Sequence, residues 1–80
     1  MDTYTIVKNR LLVLCEHKKM TIHKLATESG VAPSTIKSIL YGKRKNPGIV
    51  TIKILCDGLG ITLTDFFNTE EFSKLEQEIV

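Results

Sequence analysis

Glycine and proline cut this chain into short apolar stripes, each with the period of an α-helix. Val7, Leu11 and Leu14 recur at i, i+4 and i+7; Ile22, Leu25 and Ala26 follow, then Ile36, Ile39 and Leu40, then Ile52, Leu55, Cys56 and Leu59. Each set covers one helix face, and none shows the two-residue alternation of a half-buried strand. Gly30, Gly42, Pro47, Gly48 and Gly60 stand between the sets as stops. Pro33 suits a first helical position, where its missing amide hydrogen costs nothing. Helices this short bury their stripes only against one another, so the expected fold class is all-α.

The spacing predicts a first helix from Thr5 to Lys18 and a second, with Thr21 as its N-cap hydroxyl, that stops at Gly30. A third helix runs from Pro33 and ends at Gly42. The stretch from Gly42 to Gly48 is a loop carrying Lys43, Arg44 and Lys45. A fourth helix follows from Ile49 to Leu59. Thr62 and Asp65 form a capping-box-like start to a short helix holding Phe66 and Phe67. A last helix, from about Glu70 to Ile79, sets Phe72, Leu75 and Ile79 on one stripe. Residues 1–68 then form one domain, and residues 69–80 an additional C-terminal helix.

Length and composition exclude several classes of function. With 80 residues, 42% of them apolar, the chain can build a single modest core but no large substrate cleft. The longest apolar run, Leu11 to Cys15, is five residues, far short of a membrane span. The N-terminus lacks the charged and apolar regions of an export signal, so a cytoplasmic location is expected. Cys15 and Cys56 show no CxxC spacing and read as small buried apolar residues. Together with His17 and His23 they match no metal-ligand pattern, and neither histidine has a serine or cysteine elbow beside it. No catalysis, metal, cofactor or small-molecule ligand is expected.

Charge is divided along the chain. Through residue 50 there are nine Lys or Arg against three Asp or Glu, a net +6; from residue 51 onward two face six, a net −4. A basic part opposite an acidic one lets a small protein meet a polyanion in one orientation.

Two short helices joined through Gly30-Val31, the second led by small polar residues and followed by a cationic loop, meet the needs of a helix-turn-helix. Gly30 permits the positive φ of a tight turn, and Leu25, Ala26, Val31, Ile36 and Ile39 are spaced to lock the pair. The sequence here resembles the Cro/repressor-type, or XRE-like, helix-turn-helix family. The matching run is Leu25-Ala26, Gly30-Val31, Ser34-Thr35-Ile36, Ile39, Gly42 and Asn46-Pro47, continued by Thr51, Leu55 and Leu59-Gly60-Ile61. It spans about residues 5 to 67.

The resemblance implies a compact five-helix repressor-like DNA-binding domain, acting as a homodimer on a palindromic operator to regulate transcription. Three positions depart from the family pattern. Ile22 stands where a glutamine is common, and Pro33 where the recognition helix often begins with a polar residue. Cys15 and Leu40 occupy the places of a buried arginine-glutamate bridge, an exchange of an ion pair for an apolar pair that is physically coherent.

The outward face of the third helix offers Ser34, Thr35, Lys37 and Ser38 as base-contacting residues in the major groove. Thr21, Tyr41, Lys43, Arg44, Lys45 and Asn46 are expected at phosphates, which position the domain without reading sequence. For dimerisation the expected residues are Phe66, Phe67, Phe72, Leu75 and Ile79, more apolar surface than one short helix need bury. Should that last helix fold back instead, it would cover Leu12 and Val13. The alternative function is a protein-interaction or antitoxin-type module on the same fold, which would have no need of the cationic loop.

Overall fold

Caps set the helix boundaries. In the computed structural model, which describes residues 2–42 and 45–79, the elements are α1 (Thr3–His17), α2 (Ile22–Ser29), α3 (Pro33–Leu40), α4 (Ile49–Leu59), α5 (Leu63–Phe67) and α6 (Glu70–Ser73), with no strand among these residues. The Asp2 carboxylate accepts from the Thr5 amide at 2.9 Å, and the Thr21 hydroxyl accepts from the Lys24 amide at 3.0 Å. Hydrogen bonding from Thr5 holds the Asp2 carboxyl below the usual carboxylate range. Thr62 and Asp65 form the capping box the sequence predicts. Gly30 and Gly60 end α2 and α4 in the left-handed conformation at φ 71° and 75°, where any residue with a Cβ is strained.

The stripes meet in one core. Leu11, Leu25, Ile36, Ile39, Leu55, Cys56 and Phe66 are fully buried, and the described residues include no buried polar or charged side chain. Helix α2 packs chiefly on α4. Gly58 explains how closely: a Cβ there would lie 2.8 Å from that of Ser29, so only glycine lets the two backbones approach this far. Burial pushes both cysteine thiols above their ordinary pKa, which keeps them neutral and suits packing rather than thiolate chemistry.

Two side chains of α1, those of Tyr4 and Arg10, tie it to the helices that follow. The Tyr4 hydroxyl donates to the Ile39 carbonyl at 2.6 Å. Arg10 donates to the Phe66 and Asp65 carbonyls at 2.8 and 2.7 Å. Helix α5 is five residues long, so most of its carbonyls lack an intrahelical partner, and Arg10 supplies one.

The C-terminal segment differs from expectation. The helix predicted from Glu70 to Ile79 stops at Ser73. Continuing it would place Glu76 and Glu78 at the negative end of the helix dipole, and its later apolar residues would meet no core surface. The chain instead returns to the start of α1, where Glu78 accepts from the Thr3 amide and hydroxyl at 3.3 and 2.6 Å. It does not cover Leu12 and Val13, which remain 45% and 41% exposed.

The aromatic residues also fall elsewhere than a dimer interface requires. Phe66 is completely buried, and Phe67 stands edge-on to both Phe66 and Phe72 with ring centroids 4.9 Å apart. Phe67 and Phe72 are partly buried against the same core. A partner cannot reach Phe66 without opening the protomer. Its position is corrected from interface to core, because α5 turns its inner face onto α4 rather than outward.

Candidate nucleic-acid interface

The turn between α2 and α3 is built from backbone satisfaction. Gly30 donates its amide to the Ala26 carbonyl at 2.9 Å, and the Ser29 hydroxyl donates to the Leu25 carbonyl at 2.6 Å. Leu25 and Ala26 on α2 and Ile36, Ile39 and Leu40 on α3 are all buried, so the two helices present a fixed angle. The Tyr4 bond to Ile39, in the last turn of α3, adds a lock from α1.

Burying one face of α3 fixes what its other face shows. Ser34, Lys37 and Tyr41 are exposed, with Tyr41 at 69%. Thr35 and Ser38 are half-buried, so two of the four expected base-contacting residues are partly withdrawn. Ser38 donates its hydroxyl to the Ser34 carbonyl at 2.9 Å, which leaves its oxygen lone pairs as acceptors. Lys45 and Asn46 are exposed in the loop after α3, whereas Lys43 and Arg44 lie outside the described residues. Thr21 is exposed at the start of α2, with its hydroxyl hydrogen still available to an acceptor.

Not all of the positive charge is open to a ligand. Lys24 pairs with Glu28 at 2.8 Å; their mutual bond raises the lysine pKa and lowers that of the glutamate. Lys53 pairs with Asp57, and Lys74 with Glu70. Leu40 is buried as expected, while Cys15 is only half-buried against the core.

Tyr4 and Arg10 are positioning residues that the sequence does not announce. Tyr4 continues the α1 stripe three residues before Val7 and Arg10 lies off it. Neither spacing reveals a hydrogen bond, because the carbonyl partners lie 35 and 55 or 56 positions away, beyond the reach of any local pattern.

A rigid pair of helices crossed at a glycine turn, with the polar face of the second left open beside exposed cations, defines a helix-turn-helix DNA-binding domain. The model of the Cro/C1-type HTH DNA-binding domain matches residues 10–71, and the chain belongs to that family. It is 44% identical over 52 residues to the HTH-type transcriptional repressor RghR of Bacillus subtilis (strain 168), a match covering 65% of this chain and 38% of that protein's length. The crystal structure of the prophage Lp1 protein 11 superposes with a TM-score of 0.80 at 33% identity, covering 94% of this chain and all of the other. The XRE-like resemblance read from the sequence is therefore borne out at the level of family and fold.

Proposed function

We propose that the chain is a sequence-specific regulator of transcription, acting as a repressor, with α3 in the major groove of double-stranded DNA. The observation that carries this is the division of α3: its apolar face is locked in the core while Ser34 and Lys37 stand exposed on the other, with Ser38 half-buried beside them. Lysine can reach guanine O6 or N7, Ser34 can donate or accept at several bases, and Ser38, its hydrogen held by the Ser34 carbonyl, can accept. Thr35 contributes at most an edge contact. Thr21, Tyr41, Lys45 and Asn46, with Lys43 and Arg44, hold phosphates. The similarity to a protein named as a repressor supports the direction of regulation. We assign no catalytic role and place the protein in the cytoplasm; among the described residues no helix is long and apolar enough to cross a membrane.

A mobility-shift assay on bulk genomic fragments at two salt concentrations tests this. Wild type should bind and weaken steeply with salt. Replacing Lys43, Arg44 and Lys45 by glutamine should weaken binding to every sequence alike and flatten the salt slope by about 0.9 for each phosphate no longer neutralised. An unchanged slope would move the phosphates elsewhere, and no binding at either salt would refute the function.

One domain of this size covers about half an operator, so the working form is a homodimer on a palindromic site with half-sites about 34 Å apart. Its contact surface lies in residues 69–80, where Ile79 is 84% exposed and Leu75 half-buried. Phe66 takes no part, and Phe67 and Phe72 serve the protomer's own core. Sedimentation should show a dimer that Ile79→Asp weakens without loss of helix content; a wild type that stays monomeric at high micromolar concentration would refute it.

A further inference from the structure

Three lysines of this domain are paired, while Lys8, Lys37 and Lys45, like the two in the turn before α2, form no salt bridge among the described residues. Lys24, Lys53 and Lys74 each pair with a carboxylate four residues away. Lys18 and Lys19, in the turn between α1 and α2, are exposed and pair with no carboxylate among the described residues. The turn is held by backbone bonds, Lys18 donating to Leu14, Lys19 to Glu16 and Met20 to Cys15 at 2.9, 3.1 and 2.9 Å, and by Met20, which packs against the core.

Lys19 is also conformationally out of place. Its φ is +55°, and among the described residues it is the only non-glycine at positive φ; the other three positions are Gly30, Gly42 and Gly60. Glycine would adopt this geometry without strain, whereas a lysine there costs stability. Its side chain is exposed and makes no ion pair among the described residues. What a lysine retains at this position and a glycine lacks is a charge on a long tether.

We propose that the Lys18-Lys19 turn contacts phosphate beside Thr21, making the start of α2 a second charged phosphate site, separate from the loop after α3. The turn ends two residues before Thr21, the cap of the helix that crosses the DNA backbone in a helix-turn-helix. Two long side chains there reach phosphates flanking the groove that α3 enters, so α3 is held from the α2 side as well as from its own C-terminal loop. This site rests on the proposed DNA-binding function and adds charge-based, sequence-independent affinity to it.

The test is titration of a mixed-sequence DNA duplex by fluorescence anisotropy over a range of salt, using the full chain with Lys18→Gln and Lys19→Gly, singly and together. Each substitution should reduce the slope of log affinity against log salt by about 0.9. The thermal midpoint of Lys19→Gly should stay level or rise, since strain is removed while binding falls. Lys53→Gln and Lys74→Gln should leave the slope unchanged. A wild-type slope in the double variant overturns the second site while leaving the role of α3 intact. A wild type that does not bind the duplex at all overturns both.

Discussion

Phe66→Ala should remove a large share of the protein's stability. The ring is completely buried, stands edge-on to Phe67, and belongs to a core whose buried residues come from five helices, α1 to α5. Deleting a buried phenyl ring typically costs about 3–5 kcal/mol in lost transfer energy and cavity. A domain of this length holds roughly 4–12 kcal/mol in all, so one substitution removes from about a quarter of it to nearly all of it. Phe67→Ala, at a half-buried position, should cost distinctly less. Urea denaturation followed by circular dichroism reads both. A cost below about 1 kcal/mol for Phe66→Ala would mean that α5 does not close the core.

Leu40→Glu should cost nearly as much for a different reason. Leu40 sits at the end of α3, 6% exposed, in the core to which α1 also contributes. A carboxylate there loses its hydration without gaining a partner, a cost of about 3–5 kcal/mol. The cost depends on pH. Burial raises the pKa of the new carboxyl in the folded state, so the destabilisation is full above that raised value and is relieved as the pH falls and the group becomes neutral. Adding Cys15→Arg should return part of the loss, because α1 and α3 are in contact and an arginine can reach back over the half-buried position 15. Denaturation of both single variants and the double variant at neutral and acid pH measures the coupling. A harmless Leu40→Glu, or a double variant no better than the single, would contradict the apolar replacement of an ion pair.

Helices α2, α3 and α4 are legible in the sequence because each carries its own boundary chemistry. Thr21 and Gly30 bracket α2, Pro33 opens α3, and Gly48 and Gly60 bracket α4. A polar face opposite a locked apolar one then follows from helical period alone, which is why Ser34 and Lys37 lie exposed where expected. Thr35 sits at the border of the two faces, where the period does not decide. Ser38 lies half-buried with its hydroxyl turned back onto the α3 backbone, a local bond that the period does not show. The C-terminal segment misleads because Phe72, Leu75 and Ile79 have helical spacing, yet only Phe72 packs against the core, and a stripe without a core surface beneath it does not hold a helix. Its aromatic residues look surplus because the sequence does not show that Phe66 and Phe67 complete the protomer's own core. Arg10 and Tyr4 act through carbonyls far along the chain, which only the fold brings near.

Selection of bound sequences from a random duplex pool tests most directly whether α3 reads base edges. Wild type should enrich a defined, two-fold-related sequence. Lys37→Ala should relax the preference at one position of each half-site, a loss of about 1–3 kcal/mol in discrimination, while the remaining positions keep theirs. Enrichment of the same sequence, with the same preference at every position, by both proteins would contradict base reading by α3.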